Sequence, residues 1–220
     1  MSKVLIIGGH GKVALLLAPL LVGAGHQVTS AFRNPDHEPD VAATGARPVV
    51  ADVEQMDAGQ LGELVRGHDA VVWSAGAGGG NPARTYAVDR DAAIGSIDAT
   101  STAGVGRYVM VSYVGSRPDH GVPADNSFFH YAEAKAAADE HLRASGLEYT
   151  ILGPGALTLD EPSGLIDVLD PDGRHDRADV SRADVASVIA AALDDDTTIG
   201  STIAFRNGDV PITEAIRQGG

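Results

Sequence analysis

An α/β fold with an open, mostly parallel sheet covered by helices on both faces is what this sequence predicts, from three observations. Short runs rich in Val, Ile and other strand formers alternate with apolar-periodic segments of helix length. The connections between successive strands are long enough for right-handed crossovers. A glycine cluster, Gly8, Gly9 and Gly11, stands between the first strand and the first helix, where sheets of this kind build their sites.

In order, KVLII (3–7) reads as a buried strand and residues 12–22 as an apolar helix ended by Gly23 and Gly25. HQVTSAF (26–32) is a second strand, stopped by Asn34-Pro35. ARPVVAD (46–52) is a third, followed by a helix over 58–66 that Gly67 closes. DAVVWSAG (69–76) is a fourth strand, running into the glycine-rich AGAGGGNP. A long helix over 83–103 precedes the fifth strand, RYVMVS (107–112). After a loop with two prolines comes the helix FFHYAEAKAAADE, which ends near Ser145-Gly146, and then a sixth strand, LEYTILG (147–153).

Past Pro154 the alternation loosens into glycines, prolines and many aspartates, with room for a short strand at 165–169. SRADVASVIAAAL (181–193) is a clear helix. Ser181 is its N-cap, with Asp184 at N3 to complete a capping box. STIAF (201–205) is a last strand and 212–217 a closing helical turn. Residues 1–220 therefore read as a single domain, with 155–220 contributing a small substrate-side lobe folded onto one sheet edge.

The 30 acidic and 16 basic side chains leave a net charge of -14. That field repels nucleic acid and anionic lipid, so the expected partner is a small-molecule substrate, with no nucleic acid and no membrane. No apolar run reaches the length of a membrane span, and the glycine cluster interrupts the only segment that resembles a signal peptide. The absence of cysteine removes disulfides and thiolate chemistry and suits a cytoplasmic protein. The eight histidines are scattered without metal-ligand spacing, which argues against zinc. Asp170, Asp172 and Gly173 begin like a calcium loop but lack its later ligands. No GxSxG elbow is present.

IGGHGKVA (7–14) carries the strongest chemical signal. Gly8 allows a tight turn, and Gly11 lets the helix start approach a pyrophosphate, where free amides and the helix dipole favour anions. Ala14 keeps that helix close to the sheet. Gly9, His10, Lys12 and Val13 complete the cofactor-binding loop and helix start, with the His10 ring in reach of a phosphate. Strand two ends in Arg33, not in the Asp or Glu that holds a ribose 2′-hydroxyl. Arg33 can pair with a 2′-phosphate, and Lys12 adds a second charge, so the expected cofactor is NADP, with NAD possible. Asp52 lies where an adenine amino group would pass, with Val53 over the ring, while Ala75, Gly76 and Ala77 leave room for ribose.

Tyr131 and Lys135 are four residues apart and share a helix face. Taken alone, the spacing fits a proton-transfer pair, and it equally fits two surface residues of a strongly helix-forming stretch. Asp89 and Asp91 read as helical residues in structural or solvated positions, with loop capping the alternative for Asp89. Phe128 and Phe129 either anchor the helix start or line a substrate pocket.

Together, GGHGKVA (8–14), Arg33, Asp52, YAVDRDAAIGSIDAT (86–100), GVGRYVMVSYVGS (104–116), YAEAK (131–135), LEYTILGPGALT (147–158) and SRADVASVI (181–189) resemble the short-chain dehydrogenase/reductase superfamily. The resemblance is to its atypical NAD(P)-binding branch, with NmrA-like and flavin- or biliverdin-reductase-like members, and it covers nearly the whole chain. It implies a Rossmann-like domain and a bound NAD(P). It also implies a catalytic set of Ser112, Tyr131 and Lys135, with Pro154 and Gly155 beside the nicotinamide. On that pattern Lys135 favours the Tyr131 phenolate and holds the ribose hydroxyls, Ser112 polarises a substrate oxygen, and Tyr131 supplies the proton when a carbonyl, quinone or flavin-like acceptor takes hydride. Some members of the branch bind the nucleotide as redox sensors, which would add a protein partner. A homodimer fits either activity.

Overall fold

A computed structural model of the chain describes residues 1–78, 80–170 and 179–219. Its main sheet has nine strands. Six of them, β1 (Lys3–Ile7), β2 (Gln27–Phe32), β3 (Arg47–Val50), β4 (Ala70–Trp73), β5 (Arg107–Val111) and β6 (Glu148–Pro154), run parallel in the order β3-β2-β1-β4-β5-β6. The reversal of direction across the sheet falls between β1 and β4, the position at which open sheets form a crevice beyond their carboxyl ends. Ile7 pairs with Ala31 on one side and Trp73 on the other, so these strand ends open at one level.

Strands β1, β2, β4 and β5 are buried on both faces, which explains their near-continuous apolar runs. Val4 and Ile6 of β1 point into one core layer with Leu17 and Leu21 of α1 (Lys12–Gly23). Leu5 and Ile7 point into the other, with Trp73, Tyr108 and Leu142. Beyond the early strands, α2 (Glu38–Ala43) follows a 3-10 turn at Pro35–His37, and α3 (Ala58–Val65) follows β3. Neither the 3-10 turn nor α2 stood out in the sequence, because Pro35 and Pro39 read as breakers there. Pro35 instead occupies a helix start, where its missing amide costs nothing.

The α3 N-terminus carries a full capping box. Asp57 accepts from the Gln60 amide, and the Gln60 side chain accepts from the Asp57 amide, both at 2.9 Å. Asp57→Ala is expected to cost about 1 kcal/mol, a fall in Tm of roughly 2–4 °C for a chain this size, with NAD(P)H affinity unchanged. A Tm equal to that of the parent protein would show that the box is redundant.

The helix expected over 83–103 is three pieces in continuous order: α4 (Pro82–Thr85), a π-helical stretch at Tyr86–Ala92, and α5 (Ala93–Thr102). Such wider turns occur mostly at functional sites, and it is within this one that Asp89 turns inward. The helix with the tyrosine and lysine is α6 (Phe129–Ala144).

Most strands of the C-terminal third do not stand apart from the sheet. After β7 (Ala156–Thr158) and β8 (Leu165–Leu169) come β9 (Asp179–Ser181), α7 (Arg182–Leu193), β10 (Ser201–Asn207), β11 (Val210–Pro211) and α8 (Ile212–Gln218). β10 joins β6 in parallel, and β8 and β11 extend the same edge antiparallel. Only β7 and β9 form a separate two-stranded ribbon. α7 packs against α1 beneath the first core layer. At its start Ser181 accepts from the Asp184 amide as expected, but the reciprocal half of the box is replaced. The Asp184 carboxylate accepts from the Ser163 and Gly164 amides, and the Ser181 amide donates to Asn207. The capping residue thus also pins the turn before β8. Asp172 and Gly173 lie outside the described residues. Among the described residues no helix is long and apolar enough to cross a membrane.

Candidate active site

Three connected chambers open at the carboxyl ends of the parallel strands. The first, of about 300 Å³, lies beyond β1, β2 and β3. The second, about 1030 Å³, lies between the glycine loop, the loop after β4 and the start of α6. Gly11, Ser74, Ala75 and Gly76 form walls of both. The third, about 490 Å³, continues from the second past Ser112, Phe128, Tyr131 and Leu157.

The glycine loop is closed to side chains. Gly8 has φ +91°, and a Cβ there would stand 2.6 Å from the Ala75 backbone. A Cβ on Gly9 would stand 2.6 Å from the Ser30 Cβ. The Gly8 and Gly9 amides both donate to the Ala31 carbonyl, at 3.0 and 2.7 Å. Gly8 and Gly9 therefore shape the loop, and donation to a ligand falls to the residues after them. Gly11 is the N-cap of α1 and offers no side-chain cap, so the first-turn amides of α1 have no intrahelical acceptor. Lys12 and Val13 line the second chamber at that point. An uncapped helix start in a cradle that excludes side chains, with a chamber on either side, fits a dinucleotide whose pyrophosphate lies across Gly11.

In the first chamber the Arg33 guanidinium is half exposed, with Nη1 3.8 Å from Glu54 Oε2. Glu54 also holds Arg84 Nε at 3.3 Å, and Arg84 Nη1 donates to the Ala77 carbonyl at 2.6 Å. Asp52 and Val53 line this chamber, and Asp52 Oδ1 accepts from the Glu54 amide at 3.3 Å. Lys12 does not supply a second charge beside Arg33. As the first residue of α1 it lies past Gly11, on the second chamber. The side chains that join Arg33 are His10 and His37, whose rings stack with centroids 3.6 Å apart.

Ala75, Gly76 and Ala77 line the second chamber. The buried Asp89 carboxylate caps this loop by accepting from the Ala77 amide at 3.1 Å. Burial pushes its pKa up, against the Ala77 hydrogen bond and the charges of Lys135 and Arg84.

On α6, Tyr131, Lys135 and Asp139 recur every four residues and share one face. They do not share one surface. Tyr131 lies on the wall of the second and third chambers, whereas Lys135 is 1% exposed and contributes to neither wall. Its Nζ donates to the Val111 carbonyl at 2.8 Å and approaches Met110 Sδ at 3.2 Å. Asp139, fully buried, accepts from Ser112 Oγ at 2.5 Å and Ser116 Oγ at 2.6 Å through Oδ2. The Ser112 hydroxyl proton is thus committed to a carboxylate and not offered to a substrate oxygen. Lys135 lies behind the wall, with its ammonium on the carbonyl of the wall residue Val111. Asp139 accounts for the placement of Ser112: a buried carboxylate needs donors, and Ser112 and Ser116 supply them at Oδ2.

The charges follow. Burial pushes the Lys135 ammonium down, opposed by Asp139 and Asp89. Burial pushes the Asp139 carboxyl up, opposed by Lys135 and the two serines. The Tyr131 phenol is pushed well above its ordinary value by burial first, then by the charges of Asp89 and Asp139. Burial and then these charges oppose the phenolate, the opposite direction from the one expected of Lys135.

Pro154 and Gly155 lie on the third chamber, with Tyr113, whose ring packs 5.5 Å from Tyr131 and 5.1 Å from Phe128. The buried Tyr113 hydroxyl has no hydrogen-bond partner among the described residues. Phe128, partly exposed, is a chamber wall residue; Phe129 packs on His120 and His130. Of the residues that sequence reasoning passed over, Asp139 had a signal in its spacing from Lys135. Glu54, Arg84 and His37 had none, because only the fold carries them to Arg33.

The protein-family profile described as NAD(P)H-binding matches residues 8–196. The uncharacterized sugar epimerase YhfK of Bacillus subtilis is 31% identical over 218 residues, 98% of this chain and 99% of its own length. A solved structure from Bacillus halodurans, of a protein whose name places it among NAD-dependent epimerases/dehydratases, is 35% identical with a TM-score of 0.90 over 99% of this chain and 100% of that one. The oxidoreductase ylbE of Lactococcus lactis is 27% identical, with a TM-score of 0.84 over 98% and 95% of the two chains.

Proposed function

This chain belongs to the NAD(P)H-binding family, and from that premise we propose that it is an NADPH-dependent reductase of a small carbonyl, quinone or flavin-like acceptor. The observation that carries the reading is the place of Tyr131: on the wall shared by the second and third chambers, with its phenol kept protonated by burial and two carboxylates. When bound, the nicotinamide supplies hydride to the acceptor. The chain's own residues then divide the remaining work. Gly11 and the first turn of α1 seat the pyrophosphate, and Arg33, Asp52 and Val53 hold the adenosine end. Ala75, Gly76 and Ala77, fixed by Asp89 and Arg84, leave room for the ribose beyond. Tyr113, Phe128 and Leu157 confine the acceptor and exclude water.

Tyr131 donates its proton to the developing alkoxide oxygen of the acceptor. A phenol held above its usual pKa stays protonated at neutral pH and so carries the proton the step needs, as a weaker acid than an ordinary tyrosine. Alcohol oxidation, which needs the phenolate, is slow until high pH.

NADP over NAD rests on Arg33, since strand two ends without the acid that reads a ribose 2′-hydroxyl. Arg33→Ala is expected to weaken NADPH binding roughly tenfold, about 1.4 kcal/mol, with NADH affinity nearly unchanged. An equal loss for both cofactors removes Arg33 from the role.

The burial of Lys135 and the engagement of Ser112 by Asp139 favour a second reading, a non-catalytic NADP(H)-binding sensor that reports through a protein partner. Saturating the protein with NADPH and following nicotinamide absorbance against quinones, flavins and small carbonyls separates the two. The reductase reading expects acceptor-dependent loss of NADPH; tight binding without turnover on every acceptor supports the sensor. The proposed setting is the cytoplasm, with a small-molecule acceptor as partner rather than nucleic acid or a membrane, supported by the net charge of -14 and the absence of cysteine.

A further inference from the structure

We propose that His10 and His37 form the proton-dependent half of a 2′-phosphate site, so that binding NADPH, unlike NADH, draws a proton onto this ring pair. The inference rests on the NADP reading above and assigns the second cation that Lys12 does not supply. His10 comes from the glycine loop and His37 from the 3-10 turn after β2. Their rings lie 3.6 Å apart and 17° from parallel, and both line the first chamber with Arg33.

The charged groups around the pair leave the vacancy to it. Arg33, from the β2 exit, lies 3.8 Å from Glu54. Arg84, from α4, pairs with Glu54 and donates to the Ala77 carbonyl. Asp52, from the β3 exit, adds a further negative charge to the wall. Two arginines and two carboxylates sum to zero, so a phosphate dianion placed beside Arg33 meets no net positive charge from them before any histidine is counted.

Histidine is the side chain that changes charge between about pH 5 and 8, so it can supply the missing charge when the anion arrives. Two protonated rings in face-to-face contact would repel, so the pair takes up one proton, not two. His10 is the ring better placed to carry it. Its Nε2 lies 3.1 Å from Asp40 Oδ2 of α2, whereas the His37 Nε2 lies 3.5 Å from the Asn34 amide nitrogen, itself a donor. His37 then serves as the neutral face against which the charged ring is held. NADH, with a hydroxyl in place of the phosphate, presents no anion to the pair.

The test is calorimetric titration of the wild-type protein, His10→Gln and His37→Gln with NADPH and NADH between pH 8 and 6.5, in buffers of different ionisation enthalpy. The window stays above the second ionisation of the phosphate itself, near pH 6. For the wild-type protein, NADPH affinity is expected to rise about fivefold as pH falls across the window, with buffer-dependent heats that report proton uptake. NADH affinity is expected to change less than about twofold, without proton uptake. His10→Gln should abolish the NADPH slope, and His37→Gln should reduce it. A wild-type NADPH affinity that is flat with pH, or that moves in parallel with NADH, overturns the proposal, as does an unchanged slope in both variants. If NADPH and NADH bind alike at every pH, the NADP reading itself fails. If NADPH is preferred through Arg33 but no proton is taken up, the histidine assignment alone fails.

Discussion

Tyr131→Phe is expected to lower the rate of acceptor reduction by roughly 10²–10⁴-fold while leaving the affinity for NADPH within a factor of about two, which is below 0.5 kcal/mol. The substitution removes one hydroxyl and keeps the ring packing against Tyr113 and Phe128, at 5.5 and 5.1 Å. Wall shape and acceptor confinement are thus retained, and the loss is confined to the proton. The neighbouring hydroxyls cannot replace it. Ser112 Oγ gives its proton to Asp139 at 2.5 Å, and the Tyr113 hydroxyl is buried away from the chamber surface. Single-turnover NADPH oxidation at equal cofactor occupancy checks this. A variant that turns over at the parental rate would place the reaction on cofactor positioning alone.

Gly8→Ala is expected to have the largest effect on the fold and the cofactor together. Its φ of +91° already strains any L side chain, and the new Cβ would stand 2.6 Å from both Ala75 N and Cα. Those atoms belong to the loop following β4, so relief requires parting the sheet at the crevice. Strain and overlap together are expected to cost about 3 kcal/mol, a fall in Tm of roughly 6–12 °C, with NADPH affinity lost by more than about 100-fold, or 2.7 kcal/mol. Gly11→Ala is the contrasting case. With φ -62° and ψ 148° the backbone accepts alanine, and the nearest atom is Gly8 O at 3.1 Å. Thermal stability should fall by no more than about 3 °C, while NADPH affinity falls at least about tenfold, because the methyl group crowds the pyrophosphate seat. Equal NADPH affinities for Gly11→Ala and the parent protein would move the pyrophosphate elsewhere.

The first six strands were legible. For all but the partly exposed edge strand β3, the reason is that strands buried in the sheet are apolar for most of their length. The edge strands β7, β9 and β11 have two or three residues each, too few to show a period. The π-helical stretch had no signal, since Tyr86 to Ala92 has the apolar spacing of an ordinary helix. The cradle could be read from Gly8 and Gly11 because backbone geometry restricts those positions to glycine locally. The wall that carries Tyr131 could not. Tyr131, Lys135 and Asp139 are equivalent on a helical wheel, and only packing against β5 decides that the tyrosine faces the chamber while the lysine meets the Val111 carbonyl. Likewise, Lys12 and Arg33 are both cations near one crevice in sequence terms, yet Gly11 separates their chambers.

That Tyr131 works as an acid held protonated is the centre of this account, and ultraviolet titration of its phenol tests it without needing the acceptor. The difference between wild-type and Tyr131→Phe protein, with NADP bound, isolates one phenolate absorbance. The account predicts that this signal appears only above the ordinary tyrosine value of about 10, because burial and the charges of Asp89 and Asp139 oppose ionisation. A phenolate appearing below about pH 9 would contradict it and restore Lys135 as the group that governs the tyrosine.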